Sequence, residues 1–185
     1  LGICMNALMA PGRGTGVPWY FIVRKIFEQN NYKNVIKQVV SAKRAIPANA
    51  FITTTSELFD LEITDSQVET LFPDSNGVLI HTNHCVHPKF SKIAKDYPDL
   101  IESKARLPRA QIFFDKKSER INSGDFKKIL MDHEEFPRSI CRHENDHPET
   151  GFWTSVISVI IDPSENKMYL TRGNPCSNEY VTYNL

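Results

Sequence analysis

Phe51-Ile-Thr-Thr-Thr-Ser-Glu-Leu-Phe-Asp-Leu-Glu-Ile-Thr-Asp-Ser-Gln-Val-Glu-Thr-Leu-Phe72 decides the fold class. It divides into three short runs rich in β-branched and apolar residues, 51–55, 58–64 and 68–72, separated by Ser56-Glu57 and Asp65-Ser66-Gln67. Such runs read as strands bounded by turns. Links this short join antiparallel neighbours, because a parallel crossover needs about a dozen residues or more. Pro73-Asp-Ser-Asn-Gly77 is a further turn. After it comes Gly77-Val-Leu-Ile-His-Thr-Asn-His84, an apolar run that stops abruptly in polar side chains. It is expected to be the next strand of the meander, delivering His81, Thr82, Asn83 and His84 to the sheet rim.

Upstream, residues 1–8 suggest a strand and Pro11–Gly16 a glycine-rich loop. That loop lacks the Lys-Ser/Thr ending of a phosphate-binding loop. Pro18 suits a first helical turn, and Trp19, Ile22, Val23, Ile26 and Phe27 follow at helical spacing until Asn30-Asn31. A second helix is expected over roughly 33–45, burying Val35, Ile36, Val39 and Val40. Downstream, the pattern predicts helices over 103–116, despite Pro108, and over 126–132. Strands are expected over 139–143, 154–162, 167–172 and 180–183, with Asp162-Pro-Ser-Glu-Asn166 as a hairpin turn. Strands do not alternate with helices, so a doubly wound parallel sheet fits poorly. The expectation is an α+β fold in which helices cover antiparallel sheets, as a single domain over residues 1–185.

With 22 basic and 22 acidic side chains, the formal net charge is zero and no basic stripe marks a nucleic-acid footprint. No apolar run approaches the ~20 residues that span a bilayer. The chain opens at Leu1 in what reads as a strand already under way, which suggests the downstream part of a longer protein. No Asn-x-Ser/Thr sequon occurs, which favours a cytoplasmic setting over a secretory one. Cys4, Cys85, Cys141 and Cys176 are widely spaced and are expected to be free buried thiols.

Three constellations bear on chemistry. His81, Cys85 and His87 share one strand face, but the six-residue span separates its ends by about 20 Å at strand rise, so ordinary hydrogen-bonded histidines are expected instead of a metal site. Cys141 adjoins Arg142 and His143, and Cys85 adjoins His84. Strand neighbours point to opposite faces, which argues against activated thiols and for inert ones. Arg142 closes an apolar run and either pairs with a carboxylate or holds an anionic or polar substrate group. The Asn83 amide can donate to a developing oxyanion without carrying charge; the alternative is a capped strand end.

Several segments are recognisable in order. They are residues 1–8, Gly16-Val-Pro-Trp19 with Arg24, Leu79-Ile-His-Thr-Asn-His84, Asp132-His133, Ser139-Ile-Cys-Arg-His143, Ser158-Val-Ile-Ile-Asp162 and Arg172-Gly-Asn-Pro175. Together they resemble the acyl-CoA:isopenicillin N acyltransferase family, which includes N-β-alanyl-dopamine hydrolase and is related to choloylglycine hydrolases and acid ceramidase. The resemblance implies the N-terminal-nucleophile hydrolase fold, an αββα sandwich of two stacked antiparallel sheets between helix layers, here truncated at its N-terminus. It implies hydrolysis or acyl transfer at a linear C–N amide by a Cys that self-processing frees, with its own α-amine as base and no cofactor. Substrates would be acyl amides or acyl-CoA.

Asn83 resembles the family's oxyanion-hole amide, Asn6 a second asparagine contributing there, and Arg142 the arginine that organises the nucleophile's surroundings. No residue here matches the nucleophilic Cys, which is expected upstream, in an N-terminal segment of the same precursor. The other reading is an inactive fragment or homologue that serves as a binding module. Trp19, Phe51 and Trp153 are pocket candidates, although aromatics at such spacing more often belong to a core.

Overall fold

The computed structural model describes residues 1–10, 12, 14–29, 31–92, 96–117 and 120–185. Pro11 and Arg13 of the expected glycine-rich loop, and Asn30 of the expected helix break, lie outside the described residues. The chain divides into two compact units, Leu1–Leu100 and Ile101–Leu185.

In the first unit, strands β1 (Gly2–Ala7), β2 (Ala48–Thr53), β3 (Leu58–Ile63) and β4 (Val68–Leu71) form one antiparallel sheet in that order. This is the meander that the short links predict. Strand alternation separates its two faces. Register aligns Ile3, Ile52 and Phe59 in one row, and Ala7, Ala48, Ile63 and Val68 in another, on the face that meets the helices. Helices α1 (Trp19–Phe27) and α2 (Tyr32–Ser41) press Trp19, Ile22, Ile26, Val35 and Val39 onto it, and Ala50, Ile52, Phe59, Leu61 and Ile63 are fully or almost fully buried beneath them. Burial of this apolar area is what holds the helix layer to the sheet. Trp19 belongs to this core, so it is not a pocket residue.

Helix α2 stops at Ser41 instead of reaching residue 45. Arg44 folds back, and its Nη1 donates to Val39 O at 2.7 Å and Val40 O at 2.9 Å, while its Nε donates to Thr64 O at 2.8 Å. The guanidinium thereby satisfies carbonyls at a helix end that have no partner along the helix. Val40, expected inside, faces solvent.

The second unit contains α4 (Ser103–Asp115), α5 (Ser123–Leu130) and an antiparallel sheet of β5 (Ile157–Asp162), β6 (Lys167–Arg172) and β7 (Val181–Asn184). The α5 helix starts at Ser123, before Phe126, because Asn122 and Asp125 form a reciprocal capping box. It packs against β5. The chain is therefore α+β with two antiparallel sheets, one in each unit, as expected.

Two expected strands do not form. Among the described residues, 77–84 and 139–143 pair with no strand. In the first, the main chain is engaged by side chains: Asn6 Nδ2 donates to Thr82 O, and Asp74 Oδ1 accepts from Val78 N at 3.0 Å. In the second, Cys141 N donates to Asp132 O at 2.9 Å and Arg142 N donates to Ser155 Oγ at 3.0 Å. Apolar patterning marks both segments for half-burial or burial, but burial does not by itself require a ladder.

Candidate functional site

The sheet face turned away from α1 and α2 carries the chemistry of the first unit. One row across it is Asn6, Asn49, Glu62 and Glu69; the next is Cys4, Phe51, Asp60 and Leu71. Asn49, Asp60 and Glu62 are completely buried. Buried carboxylates are tolerated only when paired and hydrogen-bonded, and these are. Asn49 Nδ2 donates to both Asp60 carboxylate oxygens at 2.7 Å. Glu62 Oε1 lies 2.9 Å from His81 Nε2 and accepts from Val86 N at 2.5 Å, and Glu62 Oε2 accepts from His87 N at 3.2 Å. The 77–87 segment is thus held over the sheet by one glutamate, with the His81 side chain almost wholly buried.

This network places Asn6 and Asn83 together. Asn6 Nδ2 reaches Thr82 O, and Asn83 Nδ2 reaches back to Ala7 O at 3.2 Å. The two amides exchange donors between the end of β1 and residues 82–83. Both side chains are half-buried.

Burial is the main force that raises the Asp60 carboxyl above the usual range, against the opposing pull of His81 and Asn49. A carboxyl raised on folding contributes stability that is full below its unfolded value and is lost as pH climbs through the raised folded value. Asp60→Asn is therefore expected to flatten the fall in stability across that window, from the unfolded value up to the raised folded one. Urea midpoints of both proteins across the acidic range check it; an unchanged slope would refute it.

Arg142 lies in the second unit and is described there on its own. It is almost fully buried, and its Nη1 donates to the Glu102 carboxylate and to Ile101 O at 3.2 Å. The structural ion pair left open by the sequence is therefore present. Thr150 Oγ1 holds the other Glu102 oxygen at 3.0 Å. Ile101 and Glu102 both take left-handed backbone, with φ of 56° and 41°. That conformation is costly for a β-branched residue. The contact from Arg142 to Ile101 O, and a second from Arg106 Nε at 3.2 Å, help to hold it. The Arg142 Nε and Nη2 atoms are buried and have no partner among the described residues. An unsatisfied buried guanidinium donor costs more than 1 kcal/mol, about 1–3 for a neutral donor and more for a charged one.

The trio His81, Cys85 and His87 does not converge on a common point. His81 is on Glu62, and His87 accepts from Lys89 N at 3.3 Å to cap the short helix α3 (Pro88–Ser91). Burial, reinforced by Glu62, pushes the Cys85 thiol up to about 12. The expected inert state fits Cys85. All four cysteines are free; Cys85 and Cys141 are buried, whereas Cys4 and Cys176 are exposed, which corrects the expectation of four buried thiols. Phe51 lies on the polar-row face, and Trp153 is 37% exposed.

Sequence reasoning missed Asn49, Asp60 and Glu62. The available signal was the alternation Phe59-Asp-Leu-Glu-Ile63, which places two acids on one face. Nothing in that pattern says the face is covered.

A sequence profile described as acyl-coenzyme A:6-aminopenicillanic acid acyl-transferase matches residues 2–177. The acyl-coenzyme A:6-aminopenicillanic-acid-acyltransferase 40 kDa form of Emericella nidulans is 27% identical over 175 residues, covering 92% of this chain and 47% of that protein. The chain thus spans about half the length of the curated relative it matches. With a profile match over nearly its whole length, the chain belongs to the acyl-coenzyme A:6-aminopenicillanic acid acyl-transferase family.

Proposed function

We propose that the protein to which these residues belong cleaves or forms a linear amide C–N bond by way of an enzyme thioester. A Cys outside residues 1–185 forms that thioester, and residues 1–185 are the C-terminal portion of one N-terminal-nucleophile domain. The observation that carries this reading is the family match over residues 2–177.

In the proposed sequence the thiol of that Cys, deprotonated by its own α-amine, attacks the carbonyl carbon of an acyl amide or acyl-CoA. The carbonyl oxygen becomes an oxyanion, and Asn83 and Asn6 donate to it. Neutral donors held in place beforehand favour this charge without having to reorganise. Collapse expels the amine, which takes the proton, or expels the CoA thiol, and leaves the acyl group on sulfur. Water or a second amine then removes the acyl group. The exchange of donors between Asn6 and Asn83 supports the pairing, because each amide fixes the segment that carries the other. The two unpartnered nitrogens of Arg142 support a role in which this side chain binds a group supplied by another part of the protein.

The full-length protein, given acyl-CoA and a primary amine, is expected to release free CoA and N-acyl product. The purified 185-residue chain is expected to release neither. Turnover by the short chain would overturn the proposal. A residue other than Cys at the processing junction of the parent gene, with binding but no turnover, would establish the binding-module reading instead.

A further inference from the structure

His133, Cys141, His143 and Cys176 bring two imidazoles and two thiols together on the second unit. One ligand-capable atom from each lies within 4.8 Å of every other. The Nε2 atoms of His133 and His143 are 2.9 Å apart, and His143 Nε2 lies 3.7 Å from Cys141 Sγ and 3.3 Å from Cys176 Sγ. A tetrahedral zinc ion with Zn–N of about 2.0–2.1 Å and Zn–S of about 2.3 Å spaces its ligand atoms about 3.3–3.8 Å apart. The observed separations bracket that range.

From this convergence we propose that His133, Cys141, His143 and Cys176 bind one zinc ion in a closed Cys₂His₂ site. It is independent of the acyl-transfer reading, because its ligands are not the groups placed in that chemistry. Two thiolates and two imidazoles suit zinc; magnesium and calcium prefer oxygen ligands. On binding, both thiols release their protons to solvent and the imidazoles coordinate through neutral Nε2. Four protein ligands leave no open position, so the ion is structural.

The surrounding residues are arranged to support this set. Asp132, immediately before His133, is gripped by Arg109 through Nε at 2.9 Å and Nη2 at 2.5 Å, and its carbonyl accepts from Cys141 N at 2.9 Å. Asn174 Nδ2 donates to Arg142 O, which ties the turn bearing Cys176 to the loop bearing Cys141 and His143. Outer contacts of this kind orient metal ligands. Cys176 lines an open cleft of about 490 Å³ with Lys127, Met131, Asn178 and Tyr180, which gives the ion a route from solvent. Because Cys141 and His143 flank Arg142, the ion clamps the loop that presents it.

The test uses the full-length protein purified without chelator. Plasma mass spectrometry is expected to find one zinc per chain, lost in the double variant His133→Ala/Cys176→Ser. Those two ligands are exposed, so their replacement leaves the core closed. Should that variant fail to fold, the unaltered protein loaded with Co²⁺ is expected to show thiolate charge-transfer and tetrahedral d–d absorption. Equal zinc in parent and variant would overturn the proposal, as would a Co²⁺ spectrum without thiolate bands. A Cys141–Cys176 disulfide in freshly isolated protein that excludes zinc would do the same.

Discussion

Replacing Asn83 with alanine in the complete, processed protein is expected to lower kcat by about 10²–10³-fold, the usual cost of removing one oxyanion donor. The substitution removes the amide that reaches Ala7 O from the segment over the sheet. The loss should fall on kcat and on kcat/KM together, because the interaction proposed for it exists only in the transition state. Asn6→Ala should show the same pattern. The double variant should lose less than the product of the single losses, since each amide positions the segment carrying the other. Steady-state rates with one acyl donor check this. A loss of less than about threefold would reduce Asn83 to a tether between residues 83 and 7, well short of the range for an oxyanion donor.

The second large effect is on stability. Glu62→Ala is expected to destabilise the protein by about 3–5 kcal/mol. Glu62 is fully buried and accepts from Val86 N and His87 N as well as contacting His81. Alanine leaves all three without their acceptor; it also removes a like charge beside Asp60, a smaller effect of opposite sign. Glu62→Gln keeps one carbonyl oxygen and the shape, so it should cost less than the alanine variant. Urea unfolding of the three proteins checks the order. Equal stability of parent and Glu62→Ala would show that residues 81–87 are held by other contacts.

The antiparallel meander was legible because its links are too short for anything else. The strands expected over 58–64 and 68–72 form within one residue of those bounds, the one expected over 51–55 starts three residues earlier, as Ala48–Thr53, and the 167–172 strand forms with no change of ends. The two amphipathic helices were legible from spacing, although Arg44 ends the second one early through a contact that spans twenty residues to Thr64. Periodicity could not reveal where an apolar run is buried without joining a ladder. Residues 77–84 and 139–143 both have strand composition, yet each is held by side-chain bonds and single main-chain bonds instead of a ladder.

The candidate site was legible in part. Asn83 was one of four polar side chains at the end of an apolar run and only the family resemblance singled it out; its tie to β1 came from the fold. The buried carboxylates were not legible, because burial of a polar strand face depends on what later covers it. The four-residue His and Cys cluster was hidden by distance: Cys176 is remote in sequence and no Cys-x-x-Cys pair announces it. The pair Cys141-x-His143 was visible, but it becomes a ligand pair only when the loop around residues 132–143 closes on itself.

The most direct test of the acyl-transfer account is to trap the covalent intermediate. The full-length protein is mixed with an acyl-CoA, quenched rapidly in acid, and its acylated peptide is mapped by mass spectrometry. The account predicts a thioester on a Cys outside residues 1–185, at the start of a processed chain. An acyl group on Cys4, Cys85, Cys141 or Cys176, or turnover without any acylated Cys, would contradict it.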